Sequence, residues 1–371
     1  MSDRRPSRLH VVRPWFERSP YFDLTEAAGA ETYEVYNRTY WPRSYGRDPR
    51  EELEAVMERA VLIDVGCERI VEVTGARALE FVDYLCTRDL RTIPPDRARH
   101  TAVCEPNGEL YCEALVLRPA EDVVWVGHGP VDFDKWARAI AAHTQFDVAI
   151  ARPSIFPFAV QGPMAVEIMR RLTPAAMALP FFGWCPASIA GAAVLIIRSG
   201  WTGAPGFEVY PLDHTAAPRV WQAVAEAGAP VGLLVSGMTG PYFERGITDF
   251  VYGAGLGLNP FEARLGRVVD LDGADFVGRD ALISAVEAGP KRRLVGLRFG
   301  AIDLPDFDGA WALTGPDDTR GTVIAARMSH LLHEWLGYAV VDAALETGSS
   351  VAVTTPGGAV AARVTDLPFL P

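Results

Sequence analysis

The stretch Val194 to Tyr210 reads Val-Leu-Ile-Ile-Arg-Ser-Gly-Trp-Thr-Gly-Ala-Pro-Gly-Phe-Glu-Val-Tyr. Its chemistry lies in two side chains. Trp201 offers a flat face on which a planar ring could lie. Glu208 offers a carboxylate that can accept hydrogen bonds from ring N–H groups. Other groupings of reactive side chains hold less. The five cysteines, at 67, 86, 104, 112 and 185, form no CxxC pair. Their odd number argues against a disulfide framework, and reduced thiols are expected. His330 and His333 lie three apart without an acidic or thiol companion, and no HExxH occurs, so no metal site is expected. Gly253-Ala-Gly255-Leu-Gly257 has the wrong spacing for a dinucleotide fingerprint, and Asn259-Pro260 follows where a helix should open.

The elements that must position Trp201 and Glu208 are an apolar strand over Val194–Ile197, a loop with Gly200, Gly203 and Gly206, and a return strand over Phe207–Tyr210 that alternates apolar and polar. Taken alone, the stretch favours a plain hairpin whose glycines serve the turn. Before it, the pattern predicts a helix over Glu51–Ala60, strands over Val61–Asp64 and Arg69–Val73, and a helix over Ala76–Leu85. Pro106-Asn107-Gly108 sets a hairpin between Val103–Cys104 and Leu110–Leu117. A strand over Val123–Val126, a helix over Asp132–His143, a strand over Phe158–Gln161 and a helix over Met164–Leu172 follow. After the stretch come a helix over Ala216–Ala227, a strand over Val231–Val235 and a loop over Ser236–Gly246.

The turn at Ala288-Gly289-Pro290 marks a domain boundary between an α+β region over 1–288 and a β-rich domain over 291–371. In the latter, strands are expected at Lys291–Phe299, Thr322–Ala325, Leu336–Val341, Val351–Thr354 and Ala359–Val364. Residues 1–50 gather Tyr33, Tyr36, Tyr40, Trp41 and Tyr45, an aromatic area expected to be buried or to line a pocket.

Bulk composition narrows the function classes. The 371 residues are 49% hydrophobic and 22% charged, ordinary for a globular protein. Thirty-five Lys and Arg against forty-seven Asp and Glu give a net charge of -12. That argues against a nucleic-acid partner, though it leaves room for a local basic pocket for a small anion. No apolar run reaches the length of a membrane span, and no apolar segment follows the charged N-terminus. A cytoplasmic protein without a membrane partner is expected.

Several segments, taken in order, resemble the tetrahydrofolate-dependent T-protein superfamily. They are Asp64-Val65 with Val71-Glu-Val-Thr-Gly75, Cys86-Thr-Arg-Asp-Leu90, Ala159-Val-Gln-Gly-Pro163, Arg198-Ser-Gly-Trp201 with Gly206-Phe-Glu-Val-Tyr210, Asn259-Pro-Phe-Glu262, Phe276-Val-Gly-Arg-Asp280, Leu336-Gly337 and Asp366-Leu-Pro-Phe369. No single piece is specific; the ordered set covers nearly the whole chain. The superfamily includes glycine-cleavage aminomethyltransferases, dimethylsulfoniopropionate demethylases and aryl-methoxy (vanillate-type) demethylases. Tyr33 to Asn37 and Asp366 to Phe369 look most similar to the sulfoniopropionate demethylases, whereas Gly203-Ala-Pro-Gly206 resembles the aryl-methoxy enzymes.

The resemblance implies an α+β fold, a three-lobed ring around a central folate channel with a small C-terminal β-barrel-like domain. It implies tetrahydrofolate as cofactor, with Glu208 gripping the pterin and Trp201 beside it. His100 takes the place of a family Tyr near the folate. Glu113 takes the place of a family Asp that works on the substrate amine or the folate nitrogen, and could orient N5 or help a proton move. The neighbouring Cys112 points to the opposite strand face and is expected to be inert. Met238 falls where the aminomethyltransferases carry an Arg and the aryl demethylases a Tyr, and Met can neither donate a proton nor pair with a carboxylate. Thr202-Gly203-Ala204 lacks the lysine of the sulfonium enzymes' Ser-Lys-Gln turn. Met238, Tyr36, Trp41, His128 and Tyr242 are candidate substrate contacts, with Tyr242 or His128 as the acid that a methoxy leaving group would need.

The implied activity is transfer of a methyl group from a small sulfonium or methoxy donor to N5 of tetrahydrofolate, by a monomer or homodimer. Aminomethyl transfer of glycine-cleavage type, a folate-binding module without turnover and an interaction scaffold are the alternatives.

Overall fold

The aromatic N-terminal segment folds because its rings have a core to enter. In the computed structural model, which describes residues 15–237, 243–245, 256–307 and 309–370, Tyr21, Phe22, Tyr40, Trp41 and Tyr45 are buried. The segment forms β1 (Glu17–Arg18), α1 (Phe22–Ala27), β2 (Thr32–Tyr36) and β3 (Thr39–Ser44). β2 and β3 are an antiparallel hairpin closed by Tyr36 and Thr39, with β1 parallel to β3. The turn residues Asn37 and Arg38 have positive φ, 47° and 61°. That sign pattern matches the turn whose twist suits a hairpin; Asn adopts it readily and Arg does not.

α2 (Pro49–Glu58) begins with Asp48 accepting from the Arg50 amide at 2.9 Å and Pro49 in the first turn, a local start signal. Next come β4 (Val61–Asp64), β5 (Ile70–Thr74), α3 (Ala78–Leu85), β6 (Arg99–Cys104), β7 (Leu110–Ala120), β8 (Val123–His128), α4 (Phe133–Thr144) and β9 (Ala149–Ala151). Then follow β10 (Phe158–Gln161), α5 (Ala165–Leu172), β11 (Trp184–Ile189), β12 (Ala192–Ile197), β13 (Gly206–Pro211), α6 (Ala217–Gly228) and β14 (Leu234–Val235). The strand expected over Val231–Val235 shortens to its last two residues. Ala229–Val231 instead form a 3-10 turn that ends at Gly232, φ 73°.

The chain divides into two compact units that interleave along the sequence. The first takes residues up to Asp83, Asp89–His100 and Ala114–Gly240; the second takes Tyr84–Arg88, Thr101–Glu113 and Pro241–Pro371.

Within the first unit, one sheet runs β11-β12-β13-β10-β4-β14. On its central strands Ala159 lies between Glu208 and Ile63, and Phe158 between Val209 and Asp64. Because side chains alternate, Glu208 shares one face with Ala159 and Ile63, and Asp64 shares the other with Phe158 and Val209. The Asp64 face is the main core, where Leu62, Phe158, Ile196 and Phe207 pack with Ile168 of α5 and Trp221 of α6. Each such side chain contributes about 1.5–3 kcal/mol on burial. The Glu208 face carries two smaller clusters. Val61, Ile63 and Ala159 pack with Ala55 and Val56 of α2, and Leu195, Ile197 and Tyr210 pack with Ile70 and Trp125. β5 also pairs antiparallel with β8 and β9.

In the second unit, α7 (Arg279–Ala288) precedes β15 (Arg292–Gly300), β16 (Trp311–Thr314), β17 (Arg320–Ser329), β18 (Glu334–Asp342), β19 (Ser350–Thr355) and β20 (Gly358–Thr365). These strands close in the order β15-β18-β17-β16-β19-β20, so the β-rich domain is a barrel without free edges. Leu297, Trp311, Leu313, Val323, Ala339 and Val353 help fill it. The Asn107-Gly108 hairpin tip belongs to this unit: Cys104 packs with Phe276 and Leu282, and a Cβ on Gly108 would come 3.1 Å from Ala281. Among the described residues no helix is long and apolar enough to cross a membrane.

Candidate active site

Every residue of β13 is buried, and Glu208 is 5% exposed. Two residues on and on the same face, Tyr210 donates its hydroxyl to Glu208 Oε2 at 2.7 Å. The Ser199 hydroxyl also bears on the carboxylate, but in geometry too poor for a formed hydrogen bond. Burial pushes the Glu208 pKa up, and the two hydroxyls draw it part of the way back. A carboxylate has about four acceptor positions. Tyr210 fills one, so the group keeps capacity for N–H donors of a ligand.

The loop that carries Trp201 is fastened to Gln161 at the end of β10. Gln161 Nε2 donates to the Ser199 carbonyl at 3.0 Å, and Thr202 donates to Gln161 Oε1 at 2.9 Å. The Gly162 amide donates to the Pro205 carbonyl at 2.8 Å. Gly200 and Gly206 both sit where a Cβ would run into the Gln161 side chain. Thus held, the half-buried Trp201 ring meets Trp41 edge-on at 6.4 Å, and Trp41 meets Tyr36 edge-on at 5.7 Å. Two rings of the N-terminal hairpin and one from a distant loop form one row. Trp41 Nε1 is buried without a hydrogen-bond partner among the described residues.

His128, at the end of β8, is 6% exposed and stacks on Phe133 at 5.3 Å. Its Nδ1 lies 2.7 Å from the Gly129 carbonyl, which assigns the proton to Nδ1; Nε2 is buried without a partner among the described residues. Burial, opposed by the Gly129 contact, lowers its pKa to about 4. His100 is half-buried on β6 in the first unit. Glu113 is half-buried on β7 in the second unit, between the buried Cys112 and Ala114. Met238 and Tyr242 lie outside the described residues.

Two buried polar residues of this sheet, Gln161 at the loop and Asp64 on the opposite face from Glu208, carry weak sequence signals. Gln161 sits in the Ala159-Val-Gln-Gly-Pro163 segment, and its role appears only when the loop folds onto it. Asp64 ends an apolar strand and is 2% exposed. Ser19 donates to its Oδ2 at 2.5 Å and the Gly66 amide to its Oδ1 at 2.9 Å, yet burial raises its pKa to about 6. Among the described residues no group of three His, Cys, Asp or Glu could hold a metal ion.

Comparison with known proteins matches residues 21–273 to the GCVT N-terminal domain and residues 292–370 to the glycine cleavage T-protein C-terminal barrel domain. The aminomethyltransferase of Halalkalibacterium halodurans is 31% identical over 363 residues, 95% of this chain and 98% of that protein. The aminomethyltransferase of Saccharopolyspora erythraea is 32% identical over 368 residues, 95% and 97% respectively. Dimethylsulfoniopropionate demethylase DmdA of Ruegeria pomeroyi is 27% identical over 344 residues, 92% and 94%. Among solved structures, the glycine cleavage system aminomethyltransferase T from Bartonella henselae superposes with a TM-score of 0.83 at 21% identity, over 96% of this chain and 98% of that one, a likeness of fold alone. With both halves matched in order, the chain belongs to the glycine cleavage T-protein family.

Proposed function

We propose that this protein is a tetrahydrofolate-dependent methyltransferase acting on a small donor with an S-methyl or O-methyl group. The observation that carries the reading is the Glu208 carboxylate: 5% exposed, bound by Tyr210 at 2.7 Å, and still short of donors on a largely apolar sheet face. A pterin edge presents an N–H and an amino group side by side, which such a carboxylate accepts together. Bound tetrahydrofolate would supply the nucleophilic amine that receives the methyl group. Trp201, fixed through the Gln161 loop, would border the pterin, and His100 and Glu113 are the further folate-side candidates.

The Trp201–Trp41–Tyr36 row suits a cationic methyl carrier, since each cation–π contact is worth about 0.5–2 kcal/mol. His128 does not fit the part of acid. With a pKa near 4 and its Nδ1 proton engaged by Gly129, it is neutral and has no free proton to give at neutral pH. From a sulfonium the sulfur departs as a neutral thioether with the electron pair of the broken C–S bond and needs no acid, the N5 proton being lost to solvent, whereas a methoxy group must be protonated to leave. His128 therefore favours the sulfonium class, and Tyr242 remains the acid for a methoxy donor. Catalysis would rest on positioning and exclusion of water.

The names of the aminomethyltransferase relatives favour a second reading, transfer of an aminomethyl group. Met238 speaks against it, since the family's amine-handling Arg is missing. The test is to incubate the protein with tetrahydrofolate and sulfonium, methoxy, N-methyl and aminomethyl donors and identify the folate product. 5-Methyltetrahydrofolate supports methyl transfer. Methylenetetrahydrofolate from an aminomethyl donor supports the second reading, and neither product from any donor removes both.

A further inference from the structure

Three side chains that the folate reading leaves unused converge at one end of β5. Ile70 pairs with Gly127, which sets Arg69 opposite His128; Glu72 pairs with Ala151, which sets Arg152 beside Val71. All three lie on one face, by alternation. Arg69 is 4% exposed, its guanidinium 4.4 Å over the Phe156 ring and paired with Glu17. Its Nε has no partner among the described residues. Arg152 is half-buried; its Nε is buried without a partner, and no hydrogen bond or ion pair engages its guanidinium among the described residues. His128 adds the unpartnered Nε2 lone pair.

The corner is closed by the tip of the β2–β3 hairpin. Asn37 Nδ2 donates to the His128 carbonyl at 3.0 Å, and Arg38 pairs with Asp132 at the start of α4. The two positive-φ turn residues are the ones that dock here. The acids nearby are already engaged: Glu17 by Arg69, Asp132 by Arg38 and by Lys135 at 3.1 Å, and Asp134 by Arg138 at 3.2 Å. Arg152 is the cation left over. Burial and the like charge of Arg69 depress its pKa, against the pull of Asp134 and Glu17. In a chain of net charge -12 this local excess is against the trend.

We propose that this corner binds the carboxylate of a small organic acid. Arg152 supplies the planar fork that matches a carboxylate and Arg69 the second positive charge. His128 Nε2 accepts from a hydroxyl or amino group next to that carboxylate. Tyr36, the last ring of the row that starts at Trp201, immediately precedes Asn37, so the corner adjoins the far end of that row. On the methyl-transfer reading, the carboxylate is the anionic end of the donor.

The test is calorimetric titration of the full chain with propionate and with lactate at low ionic strength, for the wild type and Arg152→Met. Saturable binding in the millimolar range is expected for ligands this small, with lactate tighter by roughly threefold or more. Arg152→Met should weaken both at least about tenfold while its thermal midpoint stays or rises, because no folded-state bond is lost and a repulsion is relieved. No saturable heat with either acid at about 50 mM, or unchanged binding in the variant, overturns the proposal. Tetrahydrofolate and its analogue without the glutamyl tail identify the carboxylate's source. Weakening of the former alone by Arg152→Met assigns the corner to the folate tail. A raised KM for carboxylated donors alone assigns it to the donor. If no donor yields methyltetrahydrofolate but propionate still binds, the transfer reading falls and the corner stands.

Discussion

The Gln161 side chain occupies the space that a Cβ on Gly200 would take, while its Nε2 holds the Ser199 carbonyl at 3.0 Å. Gly200 and Gly206 are therefore a steric requirement of the Gln161 clamp as well as turn chemistry. Gly206 is less forgiving, since a Cβ there would also come 2.5 Å from the Val160 carbonyl, which cannot move aside. Gly206→Ala should lower stability by about 2–3 kcal/mol in denaturant unfolding, with little relief from Gln161→Ala. Gly200→Ala should be relieved in part by Gln161→Ala, keeping a penalty of about 1 kcal/mol for its φ of 152°. A Gly200→Ala protein as stable as the wild type would show that Gln161 does not hold this loop.

Glu208→Gln separates folding from ligand binding. Removing a buried charge should leave the thermal midpoint unchanged or higher. Folate affinity should fall by about 10- to 100-fold, from the loss of charge-assisted hydrogen bonds worth about 1.5–3 kcal/mol each. Because burial raises the Glu208 pKa, wild-type affinity should decline on acidification at a higher pH than an ordinary glutamate would dictate. Calorimetry across pH checks both. Wild-type affinity in the variant would remove Glu208 from the folate site.

Asp64 ties Ser19 and the Gly66 amide to the end of β4, but the burial that makes this joint also penalises its charge. Its folded-state pKa, about 6, lies above the unfolded value of 3.8. The fold thus favours the protonated acid, a contribution fully present below pH 4 and lost as pH rises through 6. Asp64→Asn keeps a carbonyl for Gly66 and an amide for Ser19. It should be more stable than the wild type by up to about 3 kcal/mol at pH 7, and equal to it near pH 4. Paired melting curves at the two pH values decide, and a variant less stable at pH 7 refutes the account.

His128 slopes the other way. Its folded-state pKa of about 4 lies below the usual 6.5, so the unfolded chain binds a proton first. Stability from this group is full above pH 6.5 and falls toward pH 4, by as much as about 3 kcal/mol. The His128 ring signals in an NMR titration should stay those of the neutral Nδ1–H form down to about pH 5. A midpoint near 6.5 would show that the ring is solvated.

Much of the fold is legible in local pattern. β4 and β10 occupy the very spans of their apolar runs, and the Asn107-Gly108 turn marks its hairpin. The barrel strands overlap their expected runs except β16, which local pattern misses. What local pattern misses depends on distant partners. β11 alternates poorly, because its role is to edge β12, and the N-terminal rings become strands only by covering a core they do not contain. At the site, Glu208 and Trp201 can be read from their segment. The clamp on that segment cannot, because Gln161 acts across 38 residues. The Arg69–Arg152–His128 corner likewise requires two strand registers at once. The burial of His128 is hidden for the same reason: it is set by Phe133 and Asn37, not by its neighbours in sequence.

The interleaving of the two units has a consequence for biosynthesis. Residues 101–113 emerge from the ribosome well before the 241–371 segment with which they form a unit. At ordinary elongation rates that interval is on the order of ten seconds. During it, the Cys104 thiol and the side chains around it lack Phe276 and Leu282, their partners in the finished protein. A nascent-chain holdase or a pause in translation would act on this hairpin, and a polypeptide cut after residue 240 would display it permanently.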